Sequence, residues 1–276
     1  MRIDLLMTTR NRRQEVRALL DSLRAQTRRN FRLLAGLQAP DSGMEALVVD
    51  HAAHFPVRAL RLPECGLSRA RNLLLPEADG DIIALTDDDC RYHREALAAV
   101  EDFFTAHPDV DACIGKACAV GAGSPDGIDA VVPVTLWNVF RNAPSWVLFF
   151  RREAMARVGM FDETLGVGAP TPWQSGEETD YAVRLLKAGG RMVRVGRIAV
   201  EHPPADYSRK CARKCEAYGR GRMALLRKHH FPLWFTLANL AYPLARIPME
   251  SPSRWPGCWA MFAGRLREFA VGLRSA

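Results

Sequence analysis

Short apolar runs alternate with stretches that are apolar on one face along the first two thirds of the chain. The apolar runs predict β-strands at 3–7, 31–37, 57–63, 81–85, 110–120 and 191–204, with a further strand early in 146–163. The one-sided stretches predict helices within 11–27, 66–81, 94–107, 146–163 and 170–190. This alternation predicts an α/β domain whose mixed, mainly parallel sheet is flanked by helices.

Local signals refine the ends of these elements. Ser68 is placed to cap the helix within 66–81, and Ser175 with Glu178 fits the S-x-x-E capping box. The stretch 121–145 is rich in glycine, proline, aspartate and asparagine, so it predicts a loop.

The pattern changes near residue 206, where a basic helix, an aromatic stretch with prolines and a final amphipathic helix follow one another. We therefore predict a domain over 1–205 and a helical extension over 206–276. Pro232, Pro243 and Pro248 argue against a membrane-spanning helix. Aromatic side chains beside basic ones suit a membrane interface, so we expect peripheral attachment to an anionic membrane surface.

The overall composition excludes few classes of protein or binding partner. The 276 residues are 48% hydrophobic and carry a net charge of +7, which fits a nucleic acid, an anionic membrane or a phosphate-bearing substrate. Seven cysteines without zinc-type spacing predict reduced thiols and a cytoplasmic protein.

Three consecutive aspartates, Asp87, Asp88 and Asp89, follow the apolar run 81–85. Ligands of open α/β sheets bind at the carboxyl ends of strands. Carboxylate oxygens suit Mg²⁺ or Mn²⁺, which would offset their repulsion and bridge to a diphosphate. The alternative is an acidic start to the helix within 94–107. Acidic groups at this edge argue against nucleic-acid binding.

Further polar residues stand at helix starts and strand ends. Arg69 and Arg71 open a helix, where backbone N–H groups also favour anions. Glu177 and Asp180 share a helix face, and a carboxylate there could deprotonate an acceptor hydroxyl. His202 ends the last predicted strand and is a candidate metal ligand.

Seven segments, taken in order, resemble the family 2 glycosyltransferases of the GT-A fold over about residues 1–205. They are TTRNR (8–12), GLSRARN (66–72), TDDDC (86–90), FRREAMARVGMFDE (150–163), GVGAPTPWQSGEETD (166–180), RLLKAGG (184–190) and EHP (201–203).

The resemblance implies an inverting transfer of sugar from a UDP-, GDP- or dTDP-linked donor to a saccharide or lipid-linked acceptor, with Mn²⁺ or Mg²⁺, in cell-surface polysaccharide synthesis. It implies that Asp89 binds the metal, with Asp87 and His202 as further ligands, and that Asp87 and Asp88 face the ribose. The other implied donor-site residues are Thr8, Thr9, Arg10, Asn11, Gln38, Asp41, Arg69, Arg71 and Asn72. The implied acceptor-side residues are Trp146, which is equally a core candidate, and Trp173.

Two departures from the family pattern leave roles open. Glu178 stands where the family's base is usually an aspartate, and Glu177 or Asp180 could carry that role instead. Leu37 stands where an acid often recognises the nucleotide base, so Gln38 or Asp41 could substitute and the nucleotide stays open.

Two other classes remain as alternatives, and the first of them would share a metal site at a strand end. A sugar-nucleotide nucleotidyltransferase usually has a glycine-rich loop after its first strand, and TTRNRRQE lacks glycine. A non-catalytic nucleotide-sugar binding module could lose the base, whereas this chain keeps Asp89, the acidic residues at 177–180 and His202.

Overall fold

The structure is a computed structural model that describes residues 1–121, 130–142, 145–204, 207–208 and 211–274. Its contacts divide the chain into two units. The first comprises Met1–Cys65, Arg69–Phe161 and Tyr181–Pro203, and the second comprises Gly66–Ser68, Asp162–Asp180 and Pro204–Ala276. Part of the predicted loop (122–129 and 143–144) and the expected domain boundary at 205–206 lie outside the described residues. The described part of that loop holds a short strand, Val131–Pro133, and a short helix, Val139–Asn142, so the loop prediction is wrong there.

Nine strands of the described residues form one mixed sheet in the first unit. They are β1 (Ile3–Thr9), β2 (Phe31–Gln38), β3 (Val57–Leu62), β4 (Ile82–Asp87), β5 (Arg91–Tyr92), β6 (Ala112–Cys118), β7 (Val131–Pro133), β8 (Leu148–Arg151) and β9 (Met192–Glu201). The order is β3-β2-β1-β4-β8-β6-β9-β5, and β7 pairs with β9. Strands β3, β2, β1 and β4 are parallel, as are β6 and β9, whereas β8 runs antiparallel between β4 and β6.

The helices in the described part of the chain include those predicted, and two more, Ser42–Asp50 and Val139–Asn142, that were not predicted. In chain order, the helices are α1 (Arg13–Arg24), α2 (Ser42–Asp50), α3 (Leu67–Leu74), α4 (Ala96–Ala106), α5 (Val139–Asn142), α6 (Arg152–Val158), α7 (Glu177–Lys187), α8 (Ala212–Lys228), α9 (Leu233–Arg246) and α10 (Trp255–Arg274). The apolar face predicted for α1 is fully buried, because Val16, Leu19, Leu20 and Leu23 all point into the core. The predicted α/β class with a mixed, mainly parallel sheet is confirmed.

Both predicted helix caps differ from the structure. Helix α3 begins at Leu67, so Ser68 lies inside its first turn and donates a 2.6 Å hydrogen bond to the carbonyl of Leu165. A capping box led by Ser175 would begin the next helix at Gly176. Helix α7 begins at Glu177, and the hydroxyl of Ser175 donates to the carbonyl of Tyr218 at 3.0 Å.

Helices α8 and α10 form the centre of the second unit. A Cβ added to Gly219 would overlap the carbonyl oxygen of Met261, and one added to Gly264 would overlap that of Glu216. The absence of side chains at these two glycines therefore lets the helix backbones approach closely. No helix among the described residues combines the length and hydropathy needed to cross a membrane.

Candidate functional site

The sheet brings the aspartates to the polar residues that follow β1. Strands β1 and β4 are parallel neighbours, with Thr8 opposite Asp87, so their carboxyl ends share one edge. The hydroxyl of Thr9 donates to Oδ2 of Asp88 at 2.7 Å, and both residues are buried. This is the edge at which ligands of α/β sheets bind.

A two-residue strand carries Asp89 to His202. Strand β5 follows the aspartates and pairs antiparallel with the end of β9, with Arg91 opposite Glu201. Nε2 of His202 consequently lies 3.0 Å from Oδ1 of Asp89 and 3.9 Å from Oδ2 of Asp87. Asp89 and His202, 113 positions apart in the sequence, therefore meet at a single point of the sheet edge.

Arg12 joins the same cluster, and sequence reasoning missed it. Its guanidinium lies 2.6 Å from Oδ1 of Asp88 and 2.9 Å from Oδ2 of Asp89. Arg12 is the last residue of the TTRNR segment, and this place in the segment is the sequence signal that could have found it. The prediction named Arg10 of the same segment as a donor-site residue instead.

Burial and neighbouring charges separate the acidities of the cluster. Burial raises the pKa of Asp88 to about 6, although Thr9 and Arg12 oppose the change. Burial also disfavours the charged form of Asp89, but hydrogen bonds and charges from His202 and Arg12 outweigh it and lower its pKa to about 2. Burial alone would lower the pKa of His202, yet Asp89 raises it above its ordinary value. Asp89 is thus an anion at neutral pH.

Asp87, Asp89 and His202 fit a divalent cation. One ligand atom from each lies within 4.8 Å of the others, as shared coordination requires. Two carboxylates with one imidazole suit Mn²⁺, and the oxygens also suit Mg²⁺. Arg12 holds positive charge beside Asp88 and Asp89 at the same edge.

Two of the three predicted residues of helix α3 are packed inside the first unit, to which they belong. Arg71 is 1% exposed, lies 3.1 Å from Oδ1 of Asp87 and stands over the ring of Phe161 at 5.7 Å. Asn72 exchanges two hydrogen bonds with the backbone of Phe161. The side chain of Arg69 is exposed.

The residues predicted around the nucleotide base form a network between the ends of β1 and β2. Gln38 is buried and accepts from the backbone N–H of Cys65 at 2.9 Å. Asn11 donates to the carbonyl of Ala39, and its own oxygen accepts from the backbone of Asp41. Arg10 is exposed and donates to the carbonyl of Cys65.

Asp41 has a clear structural role. Its carboxylate caps α2 by accepting from the N–H of Met44 at 2.8 Å, and it lies 2.6 Å from the guanidinium of Arg13. These contacts, with the Arg13 hydrogen bond first among them, lower the pKa of Asp41.

Trp146 stacks on the candidate metal ligand. Its ring centroid lies 3.8 Å from that of His202, with 13° between the planes. The indole therefore fixes the orientation of the imidazole, and we find it beside the acidic cluster rather than in the interior of the core.

The second unit holds the predicted catalytic acids. Asp180 is fully buried and lies 2.6 Å from Nζ of Lys228 and 2.9 Å from Nε2 of His229. Glu177 is buried against Gly166, whose added Cβ would come 3.0 Å from Oε2. Glu178 is half-buried. Asp180 is thus committed to internal partners.

Trp173 also belongs to the second unit. The guanidinium of Arg227 stands 5.8 Å from the ring centre of Trp173. The carbonyl of Trp173 accepts a hydrogen bond from the N–H of Gly166. Its ring is half-buried rather than presented to solvent.

Comparison with known proteins gives the chain a family context. The model of the Glycosyl transferase family 2 matches residues 4–129. An uncharacterized glycosyltransferase of Haemophilus influenzae is 25% identical over 195 residues, which are 67% of this chain. The chain spans 62% of the length of that relative.

Solved structures share the fold. A mannosyltransferase, PcManGT, from Pyrobaculum calidifontis in complex with GDP-Man and Mn²⁺ matches with a TM-score of 0.69 and 18% identity, covering 97% of this chain and 87% of that one. TarS 1–349 of S. aureus in complex with UDP-GlcNAc matches with a TM-score of 0.65 and 15% identity, covering 98% and 92%. At these identities the likeness establishes the fold, which is GT-A.

Proposed function

Because the model of Glycosyl transferase family 2 matches residues 4–129, we propose that the chain transfers a sugar from a nucleoside-diphosphate donor to an acceptor hydroxyl. The observation that carries the proposal is the convergence of Asp87, Asp89 and His202 at the carboxyl end of β4. Neighbours of the same fold with GDP-Man and Mn²⁺ or with UDP-GlcNAc support this donor class.

The first-unit residues would bind and neutralise the donor. Asp87, Asp89 and His202 would hold Mn²⁺ or Mg²⁺, which when bound supplies positive charge against the diphosphate leaving group. Arg71, buried beside Asp87, would add fixed positive charge near the same group, where it needs no reorganisation during the reaction. Thr9 and Arg12 would hold Asp88 in place.

Glu178 is the acid of the second unit that we assign as the base. Asp180 is occupied by Lys228 and His229, and Glu177 is buried against Gly166, whereas Glu178 is half-buried. A carboxylate that takes the acceptor proton makes the hydroxyl oxygen nucleophilic. One displacement at the anomeric carbon would invert its configuration.

We extend the proposal to a saccharide or lipid-linked acceptor and to attachment at an anionic membrane surface. Large apolar side chains are exposed on and around α9 and α10, among them Leu233, Trp234, Met249 and Trp259. Sedimentation with phosphatidylglycerol vesicles should carry the wild-type protein down and carry less of Trp234→Ser. Equal recovery of both proteins in the supernatant would reject membrane attachment.

Calorimetry with nucleotides tests the donor site. We expect one of UDP, GDP and dTDP to bind in Mn²⁺ or Mg²⁺, and binding to disappear in EDTA and in Asp89→Ala. The control Asp102→Ala removes an exposed carboxylate of the same unit and should bind like the wild type. Binding that ignores both EDTA and Asp89→Ala would reject the site.

A further inference from the structure

The imidazole of His202 is held at both of its ring nitrogens. Nδ1 lies 2.6 Å from the carbonyl oxygen of Pro203, and Nε2 lies 3.0 Å from Oδ1 of Asp89. The backbone N–H of His202 donates to the carbonyl of Cys118 at 3.0 Å, so the main chain beyond β9 is tied to the end of β6. With the main chain fixed, the ring contacts decide where the imidazole points.

These contacts determine which nitrogen of His202 is available to a cation. A carbonyl oxygen only accepts hydrogen bonds, so Nδ1 carries a proton. Nε2 is consequently the nitrogen whose lone pair can coordinate a cation beside Asp87 and Asp89. Histidine ligands of metals are commonly held in this way, with the other ring nitrogen bound to a carbonyl or a carboxylate.

The sheet topology brings Trp146 to the same edge. Trp146 lies in the short 3-10 turn Ser145–Val147, which leads directly into β8. Because β8 runs antiparallel to β4, with Ala84 opposite Phe149, the residues before β8 lie at the carboxyl end of β4, where the three aspartates stand. The turn contacts β4, β6 and β9, so the sheet fixes its position.

The indole of Trp146 covers one face of the imidazole. The ring centroids are 3.8 Å apart and the planes are nearly parallel, at 13°. The second side-chain torsion of histidine is intrinsically soft, and turning the imidazole about it would drive ring atoms into the indole. The Nε1–H of Trp146 is buried and has no hydrogen-bond partner among the described residues. Stacking on His202 is therefore the directional contact that this ring makes.

We propose that Trp146 is a positioning residue of the candidate metal site. Its indole holds the imidazole of His202 with Nε2 towards Asp89, while the carbonyl of Pro203 keeps the proton on Nδ1. This role rests on the proposed function, because the cation is the one that would bind with the donor. It differs from acceptor binding, since the indole face that covers His202 is not available to a sugar ring.

Loss of the indole should weaken cation binding without removing a ligand. A freed imidazole adopts orientations in which Nε2 points away from Asp89, and binding of the cation has to restrict it again. Loss of an outer partner of a metal ligand lowers metal affinity by about 10- to 100-fold. Asp87 and Asp89 stay in place, so we expect a loss near the lower end of this range.

The test measures Mn²⁺ binding to the full chain by electron paramagnetic resonance, whose signal reports free Mn²⁺. Trp146→Leu should raise the Kd for Mn²⁺ by about tenfold. Trp146→Phe keeps a flat ring and loses no hydrogen bond, so its Kd should stay within about threefold of the wild-type value. Trp137→Leu replaces an exposed tryptophan of the same unit and is the matched control, which should bind Mn²⁺ like the wild type.

A double-mutant cycle shows whether Trp146 acts through the imidazole. His202→Ala should itself weaken Mn²⁺ binding, and adding Trp146→Leu to it should change the Kd by less than about twofold. A further tenfold loss in the double variant would show that Trp146 acts in another way and would overturn the proposal. Trp146→Met, with a flexible apolar side chain that fills irregular space, replaces Trp146→Leu in both measurements if that variant does not fold.

The same titrations separate this role from the proposed function. Mn²⁺ binding to the wild type is measured alone and with each of UDP, GDP and dTDP, without acceptor, and the variants are compared where the wild type binds most tightly. Equal Mn²⁺ affinity of the wild type and the folded Leu or Met variant would reject the positioning role and leave the donor site intact. Absence of Mn²⁺ binding by folded wild-type protein under all four conditions would reject the metal site and both proposals with it.

Discussion

Single residues explain how three adjacent carboxylates coexist. Burial raises the pKa of Asp88, whereas His202 and Arg12 lower the pKa of Asp89 and keep it ionised. The guanidinium of Arg12 therefore lies against carboxylate oxygens that a divalent cation would also approach. The positive charge of Arg12 thus offsets part of the negative charge that would attract a metal cation to these aspartates.

Replacing Arg12 should expose this competition. We expect Arg12→Ala to lower the free energy of unfolding in EDTA by about 1 kcal/mol, since its partners lose a half-exposed counter-charge. Addition of Mn²⁺ should then raise the melting temperature more in Arg12→Ala than in the wild type, because the cation no longer displaces a guanidinium. Arg13→Ala, which removes the neighbouring arginine that pairs with Asp41, is the control. A Mn²⁺-induced shift no larger than that of the wild type would show that Arg12 does not compete.

Replacing Asp180 should lower the stability of the protein, whereas replacing Glu178 should remove its activity. Asp180→Asn leaves Lys228 and His229 without their buried partner, so it should destabilise the protein by about 3 kcal/mol in urea unfolding. Glu178→Gln should keep stability near that of the wild type and abolish sugar transfer. If Asp180→Asn unfolded like the wild type while it lost transfer, Asp180 would replace Glu178 as the base.

At the level of secondary structure, long periodic segments were predictable and short ones were not. The face of α1 and the strands β1, β2 and β4 follow from apolar spacing. Strand β5 has two residues, which is too few for a period to emerge. In helix α2 the apolar residues 46–49 are consecutive, so they do not show the spacing of a one-sided helix. Without β5, nothing in the sequence shows how Asp89 reaches His202.

The same limit applies to the candidate site. The aspartates, Arg71 and His202 were predictable because they end or begin recognisable elements. Arg12 was not predictable, because its partners Asp88 and Asp89 lie 76 and 77 positions away. Other arginines stand close to it in the sequence, so nothing local distinguishes it from them.

The packing of α8 on α10 gives a prediction for whole elements. Gly219→Ala should lower the free energy of unfolding by about 2 kcal/mol, because the new methyl group overlaps the backbone of Met261 and the helices must separate. Gly272→Ala is the matched control in α10. Its added Cβ would lie 3.3 Å from the flexible side chain of Arg227, so a loss below about 1 kcal/mol is expected. Equal melting temperatures for the two variants would mean that the glycines do not set the helix spacing.

The molecule combines a sheet unit and a helical unit that carry different groups of the proposed reaction. The first unit carries Asp87, Asp89 and His202 at its sheet edge. The second carries Glu178, the proposed base. The donor-binding groups and the proton-accepting group of the proposed reaction thus come from different parts of the chain.

Release of nucleoside diphosphate from UDP-, GDP- and dTDP-linked sugars tests the central claim most directly. With Mn²⁺, wild-type protein should release the nucleotide from one donor class, and Asp89→Ala should reduce the rate by about a hundredfold or more, as loss of charge stabilisation at a leaving group does. Asp102→Ala should retain the wild-type rate. Equal release by Asp89→Ala and the wild type, or no release from any of the three donor classes by folded protein, would contradict a metal-assisted glycosyltransferase.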